Sequence, residues 1–203
     1  INIATNADSL ATWLLPLLQS TLIEQKIVVH FQVDDQSQTH HLLEAGLVNA
    51  CVTDESQAMK GCVAEYIGDM NYRFVATPTF AQQWFKQGVN RESLRAAPAL
   101  IFNAKDQLHT AYIQQKFGLN LTQYPHHFIP SSSAFFDAVT MGLGYGWLPY
   151  YQAKPRLQDG SLVELDPQLN IDLPLYWHHW KQQSVQLNLL TDLLIEQAHA
   201  AMN

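Results

Sequence analysis

The sequence predicts an α/β protein made of two Rossmann-like lobes, joined by a hinge and separated by a ligand-binding cleft. Residues 1–53 alternate strand, helix, strand, helix, strand, which is typical of a parallel sheet with right-handed crossovers. A second strand–helix series occupies roughly residues 78–170, and a length of 203 residues accommodates two small lobes. Open α/β sheets bind ligands beyond the carboxyl ends of their strands.

The first series begins with a short strand at residues 1–6, followed by an amphipathic helix that Asp8 or Ser9 can cap. Pro16 lies inside this helix and should kink it, because proline lacks an N–H donor. The helix is predicted by apolar residues spaced three or four apart: Leu10, Trp13, Leu14, Leu17, Leu18 and Leu22.

Residues 27–33 are β-branched and almost continuously apolar, which predicts a buried strand. Residues 37–45 predict a helix that ends at Gly46, and residues 48–53 predict a third strand. These elements complete the first lobe except for its final helix.

The second series contains three predicted helices: one over residues 79–85, one over 106–117, and one that Ser132 or Ser133 caps and that runs to about Met141. A closing helix at 185–201 should return to the first lobe, so we expect lobe I at residues 1–77 and 178–203 and lobe II at 78–177. The remaining strands are predicted at residues 72–77, 99–102, 127–129, 145–149 and 173–178.

Composition excludes several classes of protein. The chain is 47% hydrophobic, enough for a packed core, and no stretch approaches the roughly 20 apolar residues of a membrane span. Lys and Arg number 11 against 18 Asp and Glu, a net charge of −7, which argues against nucleic-acid binding by this chain alone. Cys51 and Cys62 are too few for a disulfide framework or a zinc site; we expect free thiols, with a direct bridge as the alternative.

Catalytic and metal-binding motifs are absent from the sequence. Neither G-x-S-x-G, H-E-x-x-H, G-x-G-x-x-G nor a P-loop occurs, so we expect no enzyme activity, no cofactor and no metal. Adjacent histidines on a strand point to opposite faces and chelate poorly. The histidine pairs are 40–41, 126–127 and 178–179, and the glycines expected to serve packing are Gly142, Gly144 and Gly146.

The chain begins with a strand-like segment and has no initiator Met or signal peptide, so we expect an N-terminal part to precede it. Three segments resemble the effector-binding domain of LysR-type transcriptional regulators. They are Asn6–Pro16, Ser131–Phe135 and the glycine-containing Val139–Pro149. The first segment is similar to the arginine- and lysine-responsive branch, whose members are also described as inhibitors of chromosome replication initiation.

The resemblance covers residues 1 to about 200 and implies a type II periplasmic-binding-protein fold. It also implies a winged helix-turn-helix DNA-binding domain upstream, a cytoplasmic location without membrane contact, and a homodimer or homotetramer. Residues near Trp13–Leu22 and Val28–Val33 would pack against the partner's equivalents of Ala134–Met141. The alternative class is a periplasmic amino-acid-binding protein of a transporter, since its fold is the same.

Candidate ligand-binding residues in lobe I follow the first three strands. Asn6, Asp8 and Ser9 occupy the first strand-to-helix turn, which in the resembled family lines the effector cleft. Asp34 and Asp35 follow the second strand, and a carboxylate there could bind the ammonium or guanidinium of a basic amino acid. The family match favours Asp35, although a solvated turn is the alternative; Thr53 ends the third strand.

Candidate residues in lobe II begin with the serines that open a predicted helix. Free N–H groups and hydroxyls at a helix N-terminus suit a carboxylate, so we expect Ser131 or Ser132 to contact ligand. Asp106 is the alternative acidic partner or else a helix cap, and Phe102 ends the neighbouring strand. The expected effector is a basic amino acid, lysine or arginine.

Overall fold

The computed structural model describes residues 1–202, which divide into two compact units. Unit 1 comprises residues 1–71 and 172 onward, and unit 2 comprises Tyr72–Ile171. The chain therefore changes unit inside strands β4 (Cys62–Ala76) and β9 (Ile171–Trp180). The sequence-based boundaries fell later, after residue 77 and before residue 178. Because both strands continue through the change of unit, no break in the sequence pattern marks it.

The sheet of unit 1 is mixed rather than wholly parallel. Its strands are β1 (Asn2–Thr5), β2 (His30–Val33), β3 (Ala50–Thr53) and the unit 1 parts of β9 and β4, in the order β2-β1-β3-β9-β4. Strand β1 is parallel to both β2 and β3, as expected, but β9 is antiparallel to β3. The parallel arrangement predicted for the strands of residues 1–53 is confirmed; β9 is antiparallel because it enters from unit 2 as a strand and not through a helical crossover.

The first helix begins at Ala7, two residues earlier than a cap at Asp8 would allow. It runs through α1 (Ala7–Ser9), a π-helical turn (Leu10–Leu14) and α2 (Leu15–Glu24). Asn6 occupies the cap position, so capping by Asp8 or Ser9 is wrong. The wider π-helical turn lies immediately before Pro16, where a regular α-helix would force the proline ring against a carbonyl of the preceding turn.

Strand β2 is an edge strand and not the buried strand that its apolar residues predict. It is shorter than expected and ends the strand order of unit 1. Val28 is 71% exposed and Val33 is 51% exposed. Helix α3 (Thr39–Glu44) follows β2, and the closing helix α9 (Val185–Ala201) packs on this unit, where Trp177 Nε1 donates to Thr191 Oγ1 at 2.9 Å.

Unit 2 contains a second set of strands and five helices among its described residues. The unit 2 part of β4 is antiparallel to β7 and β8, and β5 is parallel to β6. The strands are β5 (Ala99–Ile101), β6 (His126–Phe128), β7 (Gly146–Pro149) and β8 (Val163–Glu164). The helices are α4 (Pro78–Trp84), α5 (Arg91–Ala96), α6 (Gln107–Phe117), α7 (Ser132–Thr140) and α8 (Tyr150–Gln158).

Sequence patterns missed α5, α8 and the first ten residues of β4. Helix α5 is short and depends on a capping box between Asn90 and Ser93. Helix α8 contains Pro155, which removes one helical hydrogen bond.

A Cβ on Gly144 would lie 2.7 Å from the carbonyl oxygen of Pro98, so this glycine allows close packing as expected.

Two sequence-based expectations concern thiols and membranes. Cys51 and Cys62 are both free and buried, and burial raises the pKa of the Cys51 thiol to about 12, which keeps it protonated and unreactive. The membrane prediction is a separate point: within residues 1–202, no helix combines the length and the apolar character needed to cross a membrane.

The approach of α9 to β4 at Gly68 gives a test of unit 1 packing. Gly68 has φ 130°, and an added Cβ would lie 2.8 Å from His199 Cα; Gly46 has φ 69° with open space around it. Gly46→Ala should lower the free energy of unfolding by about 1 kcal/mol through backbone strain. Gly68→Ala should lower the free energy of unfolding by about 1–3 kcal/mol more than Gly46→Ala does, because helix α9 must move to make room for the new Cβ. Urea unfolding followed by circular dichroism measures both, and equal losses would contradict this close approach.

Candidate functional site

The carboxyl ends of β2, β1 and β3 meet at one edge of unit 1, where the loop after β2 crosses the end of β1. Asp34 N donates to Thr5 O at 3.2 Å, and Asp54 N donates to Gln36 O at 3.3 Å. Thr53 Oγ1 also donates to Gln36 O, at 2.8 Å. These bonds fix the polar residues that follow the three strands beside one another.

Asn6 lies at the end of the central strand of this group and is only 3% exposed. Its side chain makes no capping bond, and its Oδ1 is a buried acceptor with no hydrogen-bond partner among residues 1–202. Leaving such an atom unpaired costs about 1–3 kcal/mol. A bound donor would remove that cost.

Asp8 and Ser9 follow Asn6 in the first helical turn. Ser9 is fully buried, and its Oγ contacts Met70 Sδ at 3.8 Å. Asp8 is half-buried, and its carbonyl oxygen accepts from Thr12 Oγ1 at 2.6 Å. The structure thus brings Asn6, Asp8 and Ser9 to one turn, with Asn6 and Ser9 directed into the protein.

The strand register, when continued, places Asn6 next to Asp34 on the β2 side and next to Thr53 on the β3 side, and Asp35 follows Asp34 in the loop after β2. Asp35 Oδ1 accepts from Ser37 N at 3.0 Å and from Ser37 Oγ at 2.6 Å, which orients the carboxylate at the start of α3. Thr53 is fully buried, and its Oγ1 accepts from Glu55 N at 3.2 Å while donating to Gln36 O. The Thr53 hydroxyl is therefore used within the protein.

Asp54, the residue after Thr53, lies at the same edge of unit 1 but was not among the predicted ligand-binding residues. Burial raises the pKa of the Asp54 carboxyl above its ordinary value of 3.8, and the nearby Asp35 carboxylate raises it further. An acidic residue directly after a predicted strand was the available signal, and it had been applied to Asp34 and Asp35 only.

Helix α7 of unit 2 begins at the predicted serines, but its cap differs from the prediction. Ser131 Oγ accepts from Ala134 N at 3.3 Å, so Ser131 is the cap and the expectation of Ser132 or Ser133 is wrong. Ser132 Oγ accepts from Gln152 Nε2 at 3.4 Å. The other polar atom of the Gln152 side chain, Oε1, is buried and has no hydrogen-bond partner among residues 1–202. The sequence patterns did not point to Gln152.

Asp106 serves as the cap of α6, the structural role that the sequence left open. Its Oδ1 accepts from His109 N at 3.4 Å, and its Oδ2 accepts from Phe102 N at 3.1 Å. Asp106 and Phe102 thus lie together where β5 ends and α6 begins. The carboxylate is engaged with backbone in this arrangement.

A buried histidine occupies the aromatic core of unit 2 behind α6. The ring centroid of His109 lies 5.0 Å from that of Trp147 and 5.9 Å from those of Tyr124 and Tyr145. Burial lowers the pKa of His109 to about 3, so its imidazole is neutral. Neither ring nitrogen has a hydrogen-bond partner among residues 1–202.

Metal binding has no geometric support in the described part of the chain. Over residues 1–202, no group of three or more His, Cys, Asp or Glu side chains could hold a metal ion. The pair His178 and His179 bonds to backbone instead: His178 Nε2 lies 2.6 Å from Glu55 O, and His179 Nδ1 lies 2.9 Å from Trp180 O.

The two α/β units, each with polar residues at strand ends and helix starts, define a small-molecule-binding domain of the type II periplasmic-binding-protein fold. A family model for the LysR substrate binding domain matches residues 1–199. The chain belongs to this family, and it is the effector-binding domain of a LysR-type regulator. Both the predicted fold and the predicted family are confirmed.

Similar regulators and similar solved structures support the same assignment to the LysR family. The HTH-type transcriptional regulator ArgP of Photobacterium profundum is 39% identical over 202 residues, covering 100% of this chain and 68% of that regulator. The C-terminal domains of a LysR family protein from Agrobacterium tumefaciens superimpose with a TM-score of 0.90 at 36% identity, covering 98% of this chain and 96% of that one. The matched relatives are regulators and not enzymes.

A third relative was solved with a ligand. Full-length LysG from Corynebacterium glutamicum, with bound effector Arg, has a TM-score of 0.87 and 32% identity, covering 98% of this chain and 67% of that one. These matches favour a regulator over the alternative of a periplasmic transport protein.

The neutral state of His109 predicts a pH dependence of stability. The folded pKa of about 3 lies below the ordinary 6.5, so the unfolded chain binds a proton that the folded chain excludes. Stability is therefore lost as pH falls below 6.5, by up to about 1.4 kcal/mol per pH unit. His109→Phe should remove this component, whereas His127→Phe, at an exposed site in the same unit, should not. Parallel slopes for wild type and His109→Phe between pH 6.5 and 4.5 would contradict a neutral buried imidazole.

Proposed function

We propose that this domain binds arginine or lysine and thereby controls DNA binding and transcription by the full-length regulator. The supporting observations are the acceptor-rich edge of unit 1, the helix starts of unit 2, and the relatives ArgP and LysG, the latter with bound effector Arg. No cofactor is part of this proposal. The inter-lobe location expected from the sequence stays a prediction.

Asn6 is the observation that carries the proposal. An ammonium or guanidinium offers only donors, and Asn6 Oδ1 is a buried acceptor that no described residue satisfies. Asp35 adds negative charge beside it, with Asp8, Ser9 and Thr53 completing the surroundings. Such an edge suits a cation and disfavours an anionic ligand.

Unit 2 supplies the matching chemistry for a carboxylate. Helix α7 has nine residues and begins at Ser132, with Ser131 Oγ accepting from Ala134 N, and the positive end of the helix dipole at such a start attracts an anion. We assign the effector carboxylate to Ser131 and Ser132. Phe102 and Asp106 at the start of α6 are the further contacts of this unit.

Control of transcription requires two states of the domain that bind the effector with different affinity. The DNA-reading part is the helix-turn-helix for which the relatives are named, and this chain spans 68% of the Photobacterium regulator. We place the protein in the cytoplasm, where DNA is found, and assign it no membrane contact.

A homodimer is the assembly that the exposed apolar surface favours, with a homotetramer as its extension. Helix α2, edge strand β2 and the segment between them carry exposed apolar residues of unit 1: Leu15, Ile23, Val28 and Val33. Unit 2 exposes Met141 and Leu143 just after α7. We propose that the first surface packs against the second surface of a partner copy, since burying both removes apolar area from water.

Titration calorimetry tests the ligand assignment. Wild type should bind arginine or lysine with measurable heat, and Asn6→Ala should weaken binding by roughly tenfold, because a charge-assisted hydrogen bond is lost. Asn188→Ala, an exposed site on α9, is the matched control and should bind as wild type does. No heat with either amino acid would refute the proposed effector, and unchanged binding by Asn6→Ala would refute the role of Asn6.

Sedimentation velocity tests the assembly. Wild type at tens of micromolar should sediment as a dimer or larger, and Val28→Asp should shift it to monomer, because a carboxylate would be buried in the interface. Val185→Asp, at a valine 75% exposed on α9, changes the same residue type on another surface and should leave the dimer intact. A monomeric wild type, or equal effects of the two variants, would contradict the proposed interface.

A further inference from the structure

The edge of unit 1 holds a second carboxylate that neither the sequence analysis nor the proposed effector contacts have used. We propose that Asp54 and Asp35, with Asn6 Oδ1 between their strands, form a subsite for the side-chain cation of the basic amino acid. This inference rests on the proposed function and names the residues that select a guanidinium or ammonium group.

The strand order places the three groups side by side. Strand β1, followed by Asn6, lies between β2, which is followed by Asp34 and then Asp35, and β3, which is followed by Asp54. The hydrogen bond from Asp54 N to Gln36 O joins the loop that carries Asp35 to the end of β3. The positions of all three residues are therefore set by backbone contacts and not by flexible side chains.

The two carboxylates lie close enough to repel each other. The charge of Asp35 acts on Asp54, and Glu55 adds further negative charge. His40 on α3 is the neighbour that opposes this, by favouring ionised Asp54 when it is protonated. Among residues 1–202, no Lys or Arg forms an ion pair with Asp35 or Asp54.

Carboxylate and amide oxygens of this kind match the donors of a basic side chain. Asp35 uses Oδ1 for Ser37, which leaves Oδ2 without a bond among the described residues. A guanidinium carries five N–H donors in a plane and an ammonium carries three, so either can bond both carboxylates and the Asn6 carbonyl. A single bound cation would therefore reduce the repulsion between the two carboxylates and give the buried Asn6 oxygen a hydrogen-bond donor.

Binding of the cation should also release protons. Because burial and Asp35 raise the pKa of Asp54, the free protein keeps a proton there to a higher pH than an ordinary aspartate does. A bound cation favours the ionised carboxylate, so that proton passes to the buffer and the affinity falls as pH decreases.

The first experiment is a thermodynamic cycle between one residue and one ligand group, measured by titration calorimetry near pH 7. Asp54→Asn should weaken arginine binding by roughly 10- to 100-fold but change binding of citrulline, its uncharged analogue, by less than about threefold. Asp192→Asn, an exposed site on α9, changes the charge equally and should affect neither ligand. Equal losses for arginine and citrulline, or no loss for arginine, would overturn the subsite.

The second experiment uses wild type alone and does not depend on how the variant folds. Arginine binding measured in two buffers of different ionisation enthalpy gives the number of protons released, which should rise as the pH is lowered from neutral toward the pKa of Asp54. A release that stays at zero would overturn the inference while leaving arginine binding itself intact. A wild type that binds neither arginine nor lysine would instead refute the proposed function, and the subsite with it.

Discussion

The carbonyl oxygen of Gln36 is the contact on which the polar edge of unit 1 depends. It accepts from Thr53 Oγ1 at 2.8 Å, from Thr39 Oγ1 at 3.3 Å and from Asp54 N at 3.3 Å. Gln36 is largely buried, so these bonds are shielded from water and correspondingly strong. They hold the loop after β2 across the end of β1 and bring together residues that are far apart in the chain.

Buried polar atoms without partners lie at functionally interesting places in both units. Asn6 Oδ1 in unit 1 and Gln152 Oε1 in unit 2 each sit beside a helix start to which we assign ligand contacts. An unpaired buried acceptor is costly, and a native protein keeps it where a ligand or a second state can satisfy it. His109 is different, because its surroundings are the aromatic core and its neutral ring excludes a proton.

Local patterns predicted many elements because each depends on nearby residues. The apolar spacing of the first helix and the glycine that follows α6 carry their own signals, and both helices occur where expected. The patterns failed where tertiary contacts decide whether an apolar residue is buried. Val28 and Val33 are as apolar as core residues, yet β2 lies at the sheet edge, and a sequence pattern does not distinguish a core from an interface.

The sequence by itself determined the α/β class, the LysR family and most of the strand ends at which polar residues gather, because periodicity and short motifs are local properties. Only the tertiary structure decided which strand ends are neighbours. The order β2-β1-β3 places Asn6, at the end of β1, between the loop that carries Asp35 and the end of β3 that carries Asp54, and burial together with charge repulsion then raises the pKa of Asp54. Repulsion between two carboxylates depends on their distance in space, which residue spacing along the chain does not specify.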